Sequence, residues 1–92
     1  MNHGSSATAF VPSADVVSRR MGDRAVLVDL KTNRIFDLNE TGARIWELIA
    51  EGLSGDQVVD RLVSEFSVDS AHAREEYRSL AAQMEKEGLI RA

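Results

Sequence analysis

The feature that most constrains the fold is the order of the sequence patterns, because three short strand-like runs come first and three helix-like runs follow. Segregated runs of this kind are typical of an α+β domain, whereas a parallel α/β fold alternates strands and helices. Short polar turns join the strand-like runs, and consecutive strands joined by short turns pair antiparallel. We therefore predict an α+β domain with a three-stranded antiparallel meander followed by three helices.

The three strand signals are short but distinct. The first begins at residue 16 and turns at residues 21–23, and the second spans residues 25–30. The third is Arg34–Leu38, where Phe36 and Leu38 share one face and Ile35 and Asp37 share the other. The even positions of the second strand are all apolar: Val26, Val28 and Leu30.

The helices carry clearer start and stop signals. Asn39 is an expected N-cap for the first helix, which Gly52 ends. Ser54 opens the second helix with a capping box, and the third helix is predicted from about Ser70 to Glu87. The second and third helices form a pair like a helix-turn-helix, so the predicted α+β fold is winged-helix-like.

Length and composition limit the classes of function. Ninety-two residues make one domain, which we divide into a flexible N-terminal tail, 1–13, and a folded domain, 14–92. The chain has no cysteine and no apolar run of membrane-spanning length, and its start lacks the pattern of a secretory signal. We expect a soluble cytoplasmic protein, and the net charge of −4 opposes binding to phosphates.

The sequence offers little to an enzyme. Its two histidines are His3, in the tail, and His72, in the first turn of the third helix. No histidine pair has the spacing of a metal site, and no glycine-rich loop follows a strand to hold phosphate. We therefore predict a non-catalytic protein without cofactor or metal.

The third strand is the candidate binding element. In a meander it lies at the edge of the sheet, with a row of unpaired N–H and C=O groups. Arg34–Leu38 contains neither proline nor glycine, so nothing blunts this edge. Such an edge can accept a peptide as an additional strand. Alternatively, the strand is merely short, or the third helix or the tail covers it.

The third helix carries a second hint. Arg74 and Arg78 are four residues apart, and two like charges at this spacing destabilise a helix by about 0.2–0.5 kcal/mol. An acidic group on a bound peptide would offset that cost. Alternatively, both are ordinary surface arginines, with Arg78 reaching Glu75. Ala81 leaves space for a guest side chain, although alanine is also a common helix former.

Three runs of the sequence resemble a known family. The runs DLKTNRIFDLNETGARIWELI, SGDQVVDRLVSEF and EEYRSLAAQMEKEGLI are similar to the PqqD-like precursor-recognition domains of pathways that modify ribosomally made peptides. The resemblance covers roughly residues 14–91, and its most specific part is LNETG, residues 38–42, followed by Ile45 and Trp46.

The resemblance implies a function and a site. Family members bind the leader region of a precursor peptide beside the third strand and present the precursor to a modifying enzyme, such as a radical SAM enzyme or a leader peptidase. The pathway stays open between pyrroloquinoline quinone, lasso peptides and others. No nucleic acid or membrane partner is expected, and the protein is expected to be a monomer or a weak homodimer. On this chain the strand positions are Arg34, Ile35, Phe36, Asp37 and Leu38. The facing helix wall would come from Arg74, Tyr77, Arg78 and Ala81, with guest apolar side chains near Ile35 and Tyr77 and guest carboxylates at the two arginines.

Two other functions remain as alternatives. A winged-helix DNA-binding or regulatory module would read DNA with the third helix, but that helix also carries four glutamates, which repel phosphate. A structural adaptor would use the same strand edge to form a dimer.

Overall fold

In the computed structural model, which describes residues 7–92, the chain forms strands and helices in the predicted order, with a short extra strand at each end. The elements are β1 (Val11–Pro12), β2 (Val16–Met21), β3 (Arg24–Asp29), β4 (Arg34–Leu38), α1 (Glu40–Ala50), α2 (Gly55–Phe66), α3 (Ser70–Lys86) and β5 (Ile90–Arg91). The prediction of an α+β domain with a three-stranded antiparallel sheet ahead of three helices is confirmed.

The three predicted strands are β2, β3 and β4, which pair antiparallel in the order β2-β3-β4. A two-residue turn joins β2 to β3, and its first residue, Gly22, has a φ of 67°, which a glycine adopts without steric cost. The turn from β3 to β4 is held by Asp29, whose carboxylate accepts a hydrogen bond from the Lys31 N–H at 2.9 Å. Its carbonyl accepts another from the Asn33 N–H at 2.8 Å.

One face of the sheet packs on the helices and the other faces outward. Leu27 of β3 is completely buried on the helix side, together with Ala25 and Asp29. The apolar even positions, Val26 and Val28, lie on the outer face and are only half-buried, while the third, residue 30, follows the strand and is exposed. The core face of β3 is therefore the odd one, although the even positions look more apolar in sequence.

The predicted helix caps are present. The Asn39 side chain accepts a hydrogen bond from the Gly42 N–H at 2.8 Å, and Ser54 and Gln57 form a reciprocal capping box. A Cβ on Gly42 would lie 3.3 Å from Asn39 Oδ1 and 3.4 Å from the Cβ of Leu38, so the first turn of α1 lies close to the end of β4.

The core lies between the sheet and the three helices, with α1 at its centre. Three sets of helical residues are buried in this core: Ala43, Ile45, Trp46, Leu48 and Ile49 of α1, Val58, Val59 and Leu62 of α2, and Ala73, Tyr77, Ala81 and Met84 of α3.

The two ends of the described chain pair with each other. Strand β1 pairs antiparallel with β5, and the Ser13 N–H donates to the Leu89 carbonyl at 2.9 Å. Residues 11–13, which fall in the predicted flexible tail 1–13, pair with the end of the chain, and residues 1–6 lie outside the described residues. The division into tail and domain stays a prediction. Strands β1 and β5 have only two residues each and lie far apart in the chain, so the sequence shows no alternating pattern that would predict their pairing.

An ion-pair chain at the surface connects β2, α1 and α2. Arg44 donates to Glu65 at 2.7 Å and 3.0 Å and to Glu47 at 3.1 Å, and Glu47 also accepts from Arg20. The hydrogen bond between Arg44 and Glu65 lowers the pKa of the Glu65 carboxyl and raises the pKa of the Arg44 guanidinium. Because the pKa of Glu65 is lowered on folding, this contact stabilises the fold above the carboxyl's ordinary pKa of 4.5 and is lost as pH falls below it.

Candidate functional site

The candidate site begins at the outer edge of β4. The strand pairs with β3 on one side, and no other strand pairs with it in the described part of the chain. Edge strands usually carry a proline, a bulge or an inward charge that prevents further pairing. Strand β4 has no proline and no bulge, because its five residues are RIFDL in regular register with β3. Its one charge on the helix side is Arg34, the first residue of the strand.

The backbone groups on this edge belong to two residues. In antiparallel pairs, residues that exchange hydrogen bonds alternate with residues that do not. The two-residue turn after Met21 makes its partner Arg24 a bonded residue, so Ala25, the next residue of β3, directs its backbone groups toward β4. By the same alternation, the N–H and C=O groups of Ile35 and Asp37 point to the free edge.

A groove of about 400 Å³ separates this edge from α3. Its lining from β4 and α1 consists of Asp37, Leu38, Asn39, Gly42 and Ile45. Its lining from α3 consists of Glu75, Glu76, Ser79, Leu80 and Gln83. The end of β4 and the helix thus form two sides of one groove.

The groove has an apolar floor and an acidic rim. Leu38 and Ile45 are buried beneath it, and Leu80 is half-buried on the helix wall. Glu75 and Glu76 are exposed on the same wall. The floor therefore offers contact area to apolar atoms, while the rim offers only negative charge.

A contact between strand and helix lies next to the groove. Arg34, at the start of β4, forms an ion pair with Glu87, which follows the last turn of α3. Glu87 also accepts from the Gln83 side chain at 3.2 Å. The Arg34 guanidinium lies 5.0 Å from the centre of the Phe36 ring, within the range of a cation–π contact. This set of contacts joins the first residue of β4 to the end of α3.

The predicted strand residues lie together at this site. Arg34, Phe36 and Leu38 direct their side chains to the helix side of the sheet, whereas Ile35 and Asp37 are exposed on the outer face. The prediction that these two pairs occupy opposite faces is confirmed. The structure does not test whether any of them contacts a peptide, and that role stays a prediction.

The structure places the predicted helix residues elsewhere. Tyr77 and Ala81 are buried in the core, 2% and 4% exposed, so neither side chain is available at the surface. Arg74 forms an ion pair with Asp56 of α2 at 3.0 Å, on the side of α3 that faces α2. Arg78 is exposed but, like the other three, is not among the groove-lining residues within 7–92. The wall comes instead from the neighbouring stripe of the helix.

The predicted apolar contacts of a guest peptide near Ile35 and Tyr77 stay a prediction, and the structure places these two residues apart. Ile35 points to the outer face of the sheet, while Tyr77 lies in the core on the opposite side. A single guest side chain cannot contact both. The groove residues that sequence reasoning missed are Asn39, Gly42, Ile45, Glu75, Glu76, Ser79, Leu80 and Gln83. Leu80, between Ser79 and Ala81, carries no local signal that distinguishes a groove position from a core position.

The described residues contain no group of three or more His, Cys, Asp or Glu side chains placed to hold a metal ion. Over the same residues, no helix is long and apolar enough to cross a membrane.

Comparisons with known proteins agree with this geometry. The family model for coenzyme PQQ synthesis protein D (PqqD) matches residues 24–90. A solved structure of TbiB1 in complex with the TbiA(beta) leader peptide has a TM-score of 0.82 and 32% identity, covering 87% of this chain and 93% of that one. A lasso peptide synthetase B1 complexed with its leader peptide has a TM-score of 0.82 and 22% identity, covering 92% and 100%, and this likeness supports the fold. No curated protein matches the sequence. Since the family model covers most of the folded domain, the chain belongs to the PqqD family.

Proposed function

We propose that this protein is a non-catalytic recognition domain that binds the leader segment of a ribosomally synthesised precursor peptide. The leader adds as a strand to the free edge of β4, inside the groove walled by α3. The observation that carries the proposal is the free β4 edge with the groove beside it. An added strand would lie about 4.8 Å from β4 and would bond to the outward N–H and C=O groups of Ile35 and Asp37.

The relatives support this function. The TbiB1 structure, which is 32% identical over most of the chain, contains a leader peptide, as does the lasso peptide synthetase B1 structure. A domain that holds a leader segment leaves the rest of the precursor outside the groove. The partner that follows from this arrangement is a peptide-modifying enzyme, to which the domain presents the precursor.

The groove opposes the nucleic-acid alternative. Within residues 7–92, its charged lining residues are all carboxylates: Asp37, Glu75 and Glu76. Affinity for nucleic acid comes largely from neutralising phosphates with lysine and arginine. A leader peptide is therefore the better ligand for this surface.

The test is an amide NMR titration of the ¹⁵N-labelled protein with the leader peptide encoded by the small open reading frame beside its gene. We expect saturable shifts at β4 and at the groove-lining face of α3. In the Ile35→Pro variant, one donor on the free edge is removed while the pairing with β3 is kept, so the shifts should disappear in a folded protein.

Ser18→Pro is the matched control. Ser18 lies on β2, the opposite edge of the sheet, and by the same alternation its N–H points away from β3. This variant carries the same backbone change without touching the groove, so its titration should equal that of the unmodified protein. Equal loss of binding in both variants, or shifts centred on β2, would contradict strand addition at β4.

A further inference from the structure

Among residues 7–92, no lysine or arginine forms an ion pair with Glu75 or Glu76 on the helix wall of the groove, or with Asp37, whose side chain lies on the outer face at the β4 edge. Within that range, Glu76 has only His72 at 3.9 Å, which is charged only when protonated. Arg34 pairs with Glu87 and Arg74 with the α2 residue Asp56, while Arg78, three residues from Glu75, is exposed and does not line the groove. The lining of the groove therefore carries a net negative charge.

The start of α1 also borders the groove and contributes the opposite sign. A helix N-terminus is equivalent to about half a positive charge, and this effect falls off within the first turn. Here Glu40 stands in that first turn and offsets it. The two full negative charges of Glu75 and Glu76 therefore outweigh the helix dipole.

From this we propose that the segment bound in the groove is basic, with a lysine or arginine side chain seated between β4 and α3. The inference rests on the proposed function and names the chemistry of its ligand. Long basic side chains lay their aliphatic stems on apolar surface while the charged head stays at the rim. Leu38 and Leu80 provide that surface, and Glu75 and Glu76 receive the charged head. The groove as a whole, with its backbone edge and apolar floor, selects this ligand.

The alternation of side chains along the added strand also determines where the neighbours of the basic residue lie. Side chains of a strand alternate between faces, so the neighbours of the basic residue fall on the outer face of the sheet. Ile35 is 67% exposed there, beside its half-buried cross-strand partner Val28. An apolar guest side chain next to Ile35 would cover this surface. The expected leader segment thus places a basic residue directly beside an apolar one.

The test uses the full chain with the leader peptide named above and with a variant of that peptide in which the lysines and arginines are replaced by glutamate. Affinity for each is measured by fluorescence anisotropy, with Glu75→Lys/Glu76→Lys as the test variant. Glu85→Lys/Lys86→Glu serves as a mutational control on the same helix, outside the groove lining. We expect the test variant to bind the unmodified leader with an affinity lower on the order of tenfold. The difference should shrink at high salt, because salt screens the attraction between rim charges and the peptide.

The charge-reversed peptide supplies the reciprocal result. It should bind poorly to the unmodified protein and regain affinity with Glu75→Lys/Glu76→Lys. Three results would overturn the proposal: a leader without lysine or arginine in its strand segment, equal affinity for both peptides, or equal weakening in the Glu85→Lys/Lys86→Glu control. If the unmodified protein binds the leader but charge has no effect, strand capture stands and only the basic ligand falls. If it does not bind the leader at all, both proposals fail.

Discussion

Two stripes of α3 lie side by side and face different surroundings. The core stripe is formed by Ala73, Tyr77, Ala81 and Met84, all buried against the sheet and the other helices. The groove stripe is formed by Glu76, Ser79, Leu80 and Gln83, which line the groove beside β4. Each residue turns a helix by about 100°, so a shift of one position moves a side chain from the core to the groove. The rotation of α3, rather than its composition, decides which residues can meet a peptide.

The largest expected effect separates the stripes by stability. Met84 is 1% exposed in the core stripe, and truncating a buried methionine to alanine costs about 2–5 kcal/mol, from lost burial and the cavity left behind. We expect Met84→Ala to lower the free energy of unfolding by about that much, measured by urea denaturation. Leader affinity, measured under conditions where the variant remains folded, should not change. If the folded variant lost leader affinity, the core stripe would also belong to the binding site, and the two stripes would not differ in function.

The second effect falls on the groove stripe. Leu80 is half-buried, so Leu80→Ala should cost less stability, about 1 kcal/mol, because it removes less area from the core. Leu80→Ala should lower the affinity for the leader by roughly tenfold, as expected for an apolar anchor in a peptide groove. The measurement is a peptide titration beside a urea unfolding curve.

Val63→Ala is the matched control for Leu80→Ala. Val63 is a half-buried aliphatic residue on α2 that packs against the core and does not line the groove. Its truncation should lower stability to a similar extent and leave leader affinity unchanged. If both variants lose affinity equally, the effect of Leu80 is a general loosening of the domain and the groove stripe has no particular role.

The parts of the fold that follow local rules were predictable from sequence. Asn39 and the Ser54 capping box satisfy the first free N–H groups of their helices, and such side-chain bonds depend only on neighbours. The edge position of β4 followed from the short turns that join the three strands. These features need no knowledge of how distant elements meet, so the sequence patterns were sufficient.

The helix wall of the site was not predictable in the same way. The sequence-based prediction put Tyr77 and Ala81 at the binding surface, but the observed rotation of α3 buries both in the core. The choice of the core stripe depends on packing with residues far away in the chain, because Tyr77, Ala81 and Met84 share one buried cluster with residues of the sheet, α1 and α2. The same holds for Arg74, whose partner Asp56 lies eighteen positions earlier in α2. Local spacing indicates that two arginines share a face but not which face meets the groove.

The smallest expected effect tests a third side of α3, which faces α2. Arg74 and Asp56 are partly exposed, with 30% and 40% of their side-chain surface accessible, and exposed ion pairs contribute only about 0–1 kcal/mol. Arg74→Gln removes the charge and keeps part of the stem, so we expect it to change stability by less than about 0.5 kcal/mol. Leader affinity should stay within experimental error, because Arg74 points away from the groove. Loss of affinity as large as that of Leu80→Ala would mean that the leader contacts α3 from the α2 side. The original prediction of arginines pairing with guest carboxylates would then be restored, and the basic-ligand proposal would lose its geometric support.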